Sequence, residues 1–68
     1  MNDFDKNRMI YNRKVLEQVR LLINIYPTQR FMQIIRNYVG DGQQLFNEEP
    51  QVTHARLEKV FDELNGKD

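Results

Sequence analysis

Tyr26-Pro27-Thr28-Gln29-Arg30-Phe31-Met32-Gln33-Ile34-Ile35-Arg36-Asn37-Tyr38-Val39-Gly40 decides how the chain folds, because it carries its own start and stop. Pro27 cannot continue a preceding helix, and Thr28 has the hydroxyl of an N-cap. Gly40 suits a left-handed turn after the last helical residue. Between these signals Phe31, Ile34, Ile35 and Tyr38 fall at the i, i+3, i+4, i+7 spacing of one apolar helix face, widened by Met32 and Val39. Arg30, Gln33 and Asn37 form a polar stripe beside it. The pattern predicts a helix over about 28–39.

Upstream, Phe4, Tyr11, Val15, Val19, Leu22 and Tyr26 project together, with Leu16 and Ile23 widening the stripe. This predicts one amphipathic helix over about 4–25, capped by Asn2 or Asp3, with Asp3 and Asp5 at the end that the helix dipole makes favourable for acids. Pro27 allows almost no loop, so the second helix must turn back on the first or cross it sharply. Downstream, Asp41-Gly42 signals a turn and Pro50 interrupts the following stretch, predicting an irregular connection. Leu45 and Phe46 are its expected anchors, with one helical turn over Gln43 to Phe46 started by Asp41. The last helix is expected over about 53–65. Thr53 would cap it, Val52 and Leu57 would form a hydrophobic staple, and Leu57, Val60, Phe61 and Leu64 would make a narrow apolar stripe.

The expected fold is therefore all-α, a single three-helix domain over 1–68. At 68 residues only about 60% of the unfolded chain's surface can be buried. With no cysteine, neither a disulfide nor a thiolate metal site can supplement so small a core, whereas a second copy could, so a homodimer is a natural expectation. No stretch is long and apolar enough for a membrane span, and the polar start Met1-Asn2-Asp3-Phe4-Asp5-Lys6 is unlike a signal peptide. A cytoplasmic protein without membrane contact is expected.

The net charge is zero, yet residues 1–39 hold seven basic and three acidic side chains, a balance of +4, and residues 40–68 hold three and seven, a balance of −4. Either the acidic C-terminal part folds back along the basic first helix, or a basic face stays free for nucleic acid or an acidic partner. Lys6, Arg13 and Arg20 recur every seven residues, a line that suits a phosphate backbone or a solvated helix face. Arg36 and the Gln29, Arg30, Gln33, Asn37 face of the second helix carry side chains suited to base edges, although no short helix-turn-helix junction is present.

Three apolar residues leave the main stripe of the first helix. Ile10, Leu21 and Ile25 project together, and either pack beneath the connection before the last helix or form a partner surface. The polar stripe has two readings as well. Arg30, Gln33 and Asn37 either satisfy the connection's backbone and acids or form a recognition patch.

Catalytic chemistry is poorly supplied. The chain has no serine or cysteine, one histidine, His54, and two threonines read as caps, so no nucleophile with an adjacent base can be assembled and no enzyme is expected. His54 and Glu58 alone do not make a metal site, and Gly40-Asp41-Gly42 lacks the strand and helix of a nucleotide-binding loop. No cofactor or metal is expected.

Tyr26-Pro27, Arg30-Phe31-Met32-Gln33-Ile34-Ile35 and Asn37, followed by Phe46 and an acidic last helix, resemble a group of small uncharacterised helical proteins from bacteria and their phages. Their core reads Pro-x-Leu-Arg-Phe-Gly-Gln-Leu-Ile-x-Asn. The similarity covers about residues 20–64 and is most specific at Arg30-Phe31-x-Gln33 and Asn37. Met32 replaces the group's glycine, so a close backbone approach made there does not carry over, and Thr28-Gln29 replaces an acidic-aliphatic pair. The resemblance implies a helical fold and a phage or mobile-element setting, but no activity. The favoured expectation is a non-enzymatic protein-interaction module, with Arg30, Gln33, Asn37 or Ile10, Leu21, Ile25 as contacts. The alternative is a small nucleic-acid-binding regulator using Lys6, Arg13, Arg20, Arg30 and Arg36.

Overall fold

Asn2 opens the first helix by accepting a hydrogen bond on its side-chain oxygen from the Asp5 amide at 2.8 Å. With neither glycine nor proline inside, α1 then runs unbroken over Asp3–Ile25. A computed structural model describes residues 2–66. The described residues are all-α. α2 is α-helical over Phe31–Ile34 and π-wound over Ile35–Val39, the short α3 covers Gly42–Asn47, and α4 covers Pro50–Leu64.

α2 starts two residues later than an N-cap at Thr28 implies. Thr28 lies in the turn, and Arg30 is the N-cap, its amide donating to the Gln33 side chain at 2.8 Å. A glutamine at N3 can reach back in this way, so the cap signal lies in Arg30-x-x-Gln33 and not in the threonine. At the other end the Gly40 amide donates to the Ile35 carbonyl at 2.9 Å, five residues back, which is the hydrogen bond of a π-turn. Gly40 has φ 152° and ψ 172°, a conformation outside the left-handed helical region and open in practice only to glycine. A β-carbon there would also meet Gln44 Oε1 at 2.8 Å and Leu45 Cδ2 at 3.2 Å.

Further expectations are corrected in and after the connection. Asp41 does cap α3, accepting from the Gln44 amide at 2.8 Å, and Leu45 is half-buried. Phe46, however, is 90% exposed and anchors nothing. Pro50 begins α4 instead of interrupting the chain before it, because proline's missing amide and fixed φ suit the first helical position. Thr53 is consequently inside the helix and buried, its hydroxyl donating to Glu48 Oε1 at 2.6 Å, and Val52 is exposed, so no staple forms. Arg56 closes the same junction with Nε 3.0 Å from Glu48 Oε2 and Nη2 2.6 Å from Oε1. Hydrogen bonding from Arg56 and then Thr53 holds the Glu48 carboxyl below the ordinary carboxylate range.

Val19, Leu22, Ile34, Val39 and Leu57 form the buried core, with Val15, Tyr26, Ile35, Tyr38, Leu45 and Phe61 packed around it. α2 crosses α1 instead of running back along it, since Phe31 sits beside Leu16, Val19 and Ile23 while the Tyr38 ring stacks on Tyr26 with centroids 4.4 Å apart. α4 lies alongside α1 in the same direction. Arg8 pairs with Glu49 at 3.0 Å, the His54 ring meets Tyr11 edge-on, and Gln18 Nε2 donates to the His54 carbonyl at 3.1 Å and to Glu58 Oε1 at 3.2 Å. The acidic C-terminal half thus folds back on the basic first helix.

Candidate interaction surface

α1 carries apolar residues around more of its circumference than α2 and α4 cover. Leu22 is fully buried and Val19 nearly so, but Leu16 is 68% exposed, and Met9 and Ile23 are about two-fifths exposed. These last three recur every seven residues and fall within about 40° of one another at 100° per residue. Phe31 of α2, itself 55% exposed, forms a wall beside Leu16 and Ile23. Leu16, Glu17, Val19, Arg20, Ile23 and Phe31 enclose an open groove of about 360 Å³ with an apolar floor. Leu16 and Ile23, read from the sequence as the edge of the core stripe, and Phe31, read as core, thus form a surface.

The groove's charged edge is Glu17 with Arg20, the last member of the basic heptad line. Arg20 Nε lies 3.0 Å from both oxygens of Glu17, and this hydrogen bonding holds the Glu17 carboxyl below its ordinary range and raises the Arg20 guanidinium. Lys6 and Arg13, on the same line, are exposed and make no ion pair among the described residues. A second groove, of about 480 Å³, lies on the far side of α2 between Met32, Ile35, Arg36, Gly40–Gly42 and Leu45.

The other expected site residues fall elsewhere. Gln33 is engaged by the Arg30 amide, and Asn37 Nδ2 donates to Gln29 Oε1 at 3.2 Å while Gln29 Nε2 donates to the Tyr38 hydroxyl at 3.1 Å. Two members of the polar stripe therefore brace α2 and its preceding turn. The Arg30 side chain makes no ion pair among the described residues, nor does Arg36. Ile10, Leu21 and Ile25 are exposed and do not pack beneath the connection. Gln18, between them in the sequence, is turned into the α1–α4 contact, so that line borders α4.

His54 Nε2 lies 3.3 Å from Glu58 Oε1, and no group of three or more histidine, aspartate or glutamate side chains among the described residues is placed to hold a metal ion. No helix among the described residues is long and apolar enough to cross a membrane. No protein-family model matches the chain, and no curated protein or solved structure shows significant similarity to it.

The missed feature has a sequence signal. Lys6, Arg13 and Arg20 have an apolar counterpart one step around the helix, Met9, Leu16 and Ile23, and the pairing of the two lines is the pattern of a helix with a partner.

Proposed function

We propose that this protein is a non-enzymatic docking module, an adaptor of phage or mobile-element type, that binds another protein through the open face of α1 and the start of α2. The observation that supports this reading most is the groove of Leu16, Ile23 and Phe31. Three large apolar side chains stand in one contiguous, solvent-open patch, against five buried apolar core residues among the described residues. Contiguous apolar area with a polar rim is the usual anatomy of a protein contact, and leaving it in water is costly.

A photo-crosslinking residue placed at Leu16 in cells expressing the chain should give a discrete protein adduct that Ile23→Asp removes. The same residue at Lys59, exposed on α4, should give none. Absence of the Leu16 adduct, or equal adducts from both positions, would overturn the reading.

A second reading, a nucleic-acid-binding regulator, is favoured by the unpaired state of Lys6, Arg13, Arg30 and Arg36 among the described residues. It requires duplex binding that weakens steeply with salt. An absence of DNA binding at low salt removes it.

A further inference from the structure

On the reading that the α1 face is a docking surface, we infer that its occupant is an amphipathic helix with an acidic flank, supplied by another protein. The face has the two parts of a coiled-coil seam. Met9, Leu16 and Ile23 form the apolar line, and Lys6, Arg13 and Arg20 run beside it, Arg13 standing four residues after Met9 and Arg20 four after Leu16. From Met9 to Ile23 the line is about 21 Å long at 1.5 Å per residue, the length of four turns of a partner helix. In such seams the apolar line gives affinity and the flanking charges choose the partner.

The charges here are one-sided. Of the carboxylates on this side of α1, Glu17 is hydrogen-bonded to Arg20, and Asp5 lies near the helix start, leaving Lys6 and Arg13 without ion-pair partners among the described residues. The opposite flank is the apolar wall of Phe31. A helix lying along Met9, Leu16 and Ile23 therefore meets the Glu17–Arg20 pair at the groove and Lys6 and Arg13 farther along the same edge, with the Phe31 hydrocarbon on the other, which suits carboxylates along one side of its apolar stripe.

The same geometry disfavours a second copy. An antiparallel pair that sets Met9, Leu16 and Ile23 against Ile23, Leu16 and Met9 of the other chain would bring Arg13 and Arg20 opposite Arg20 and Arg13, and like charges so opposed repel, each Glu17 being already held by its own Arg20. A parallel pair would set the basic line against the other chain's Phe31 side, which offers no row of carboxylates. A heterologous acidic helix satisfies both edges.

The test uses two fluorescein-labelled peptides of about three heptads, each with leucine along one face and either glutamate or lysine at the flanking positions. Anisotropy is read against the full chain. The glutamate peptide should bind at least about tenfold more tightly than the lysine peptide at low salt, and Lys6→Glu with Arg13→Glu should abolish or invert that preference. Leu16→Asp should weaken both peptides, while circular dichroism shows the helices intact.

Equal binding of the two peptides, with Leu16→Asp still disruptive, would overturn the acidic partner but keep the docking face. Binding of neither peptide, or binding indifferent to Leu16→Asp, would overturn both. Sedimentation of the chain alone should give a monomer. A dimer broken by Leu16→Asp would place a second copy on the seam and overturn the inference, as would duplex DNA binding that needs Arg13 and displaces the glutamate peptide.

Discussion

The two sides of α1 are made from similar residues and meet opposite fates. Toward α4, Leu22 packs in the core with Leu57, and Gln18 is buried with its amide held by the His54 carbonyl and Glu58. Away from α4, Met9, Leu16 and Ile23 form a line as regular as the buried one, and no helix lies over it. The difference teaches that amphipathic periodicity marks which residues want cover, whereas the number of remaining helices sets how much cover the chain supplies. The nine residues of α2, the six of α3 and the fifteen of α4 cannot surround a helix of 23 residues.

That contrast is broken or sharpened first in the core. Leu57→Ala should cost about 2–5 kcal/mol in urea unfolding, the range for emptying a buried leucine site, whereas Leu16→Ala should change stability by no more than about 0.5 kcal/mol. Comparable losses at the two positions would mean that Leu16 is covered in the folded chain.

A smaller effect is expected where the connection is tied to α4. Glu48 accepts from Arg56 and Thr53 with its side chain 11% exposed, so Glu48→Gln should cost about 1–3 kcal/mol, as for a charge-assisted hydrogen bond lost at a mostly buried site. Because the folded-state pKa of Glu48 lies below the unfolded one, its contribution is fully present above the ordinary carboxylate pKa and fades as pH falls through the lowered folded value. Thermal melts of wild type and Glu48→Gln should therefore differ at pH 7 and converge in acid. A constant difference across that range would assign the loss to packing.

Much of the fold was legible because it rests on local chemistry. Asn2, Pro27 and Asp41 each act within a few residues of themselves, and the helical period of α1 needs no tertiary information. Misreadings cluster where a residue has two local meanings. Pro50 serves as readily at the first position of a helix as in a break, and that choice moved Thr53 from a cap to a buried partner of Glu48. Phe46 looks like an anchor until the turn of α3 directs Leu45 inward and Phe46 outward. The candidate surface was least legible, since α1 alone does not reveal which of its two apolar edges α4 will take.

The most direct measurement is a ¹H–¹⁵N and methyl shift titration of the full chain with the leucine-faced peptides. The open-face account predicts the largest perturbations at Met9, Leu16, Ile23 and Phe31, with small changes across Gln18, Leu22 and Leu57. Perturbations centred on Ile10, Leu21 and Ile25, on the groove around Met32 and Leu45, or nowhere along the chain would contradict it.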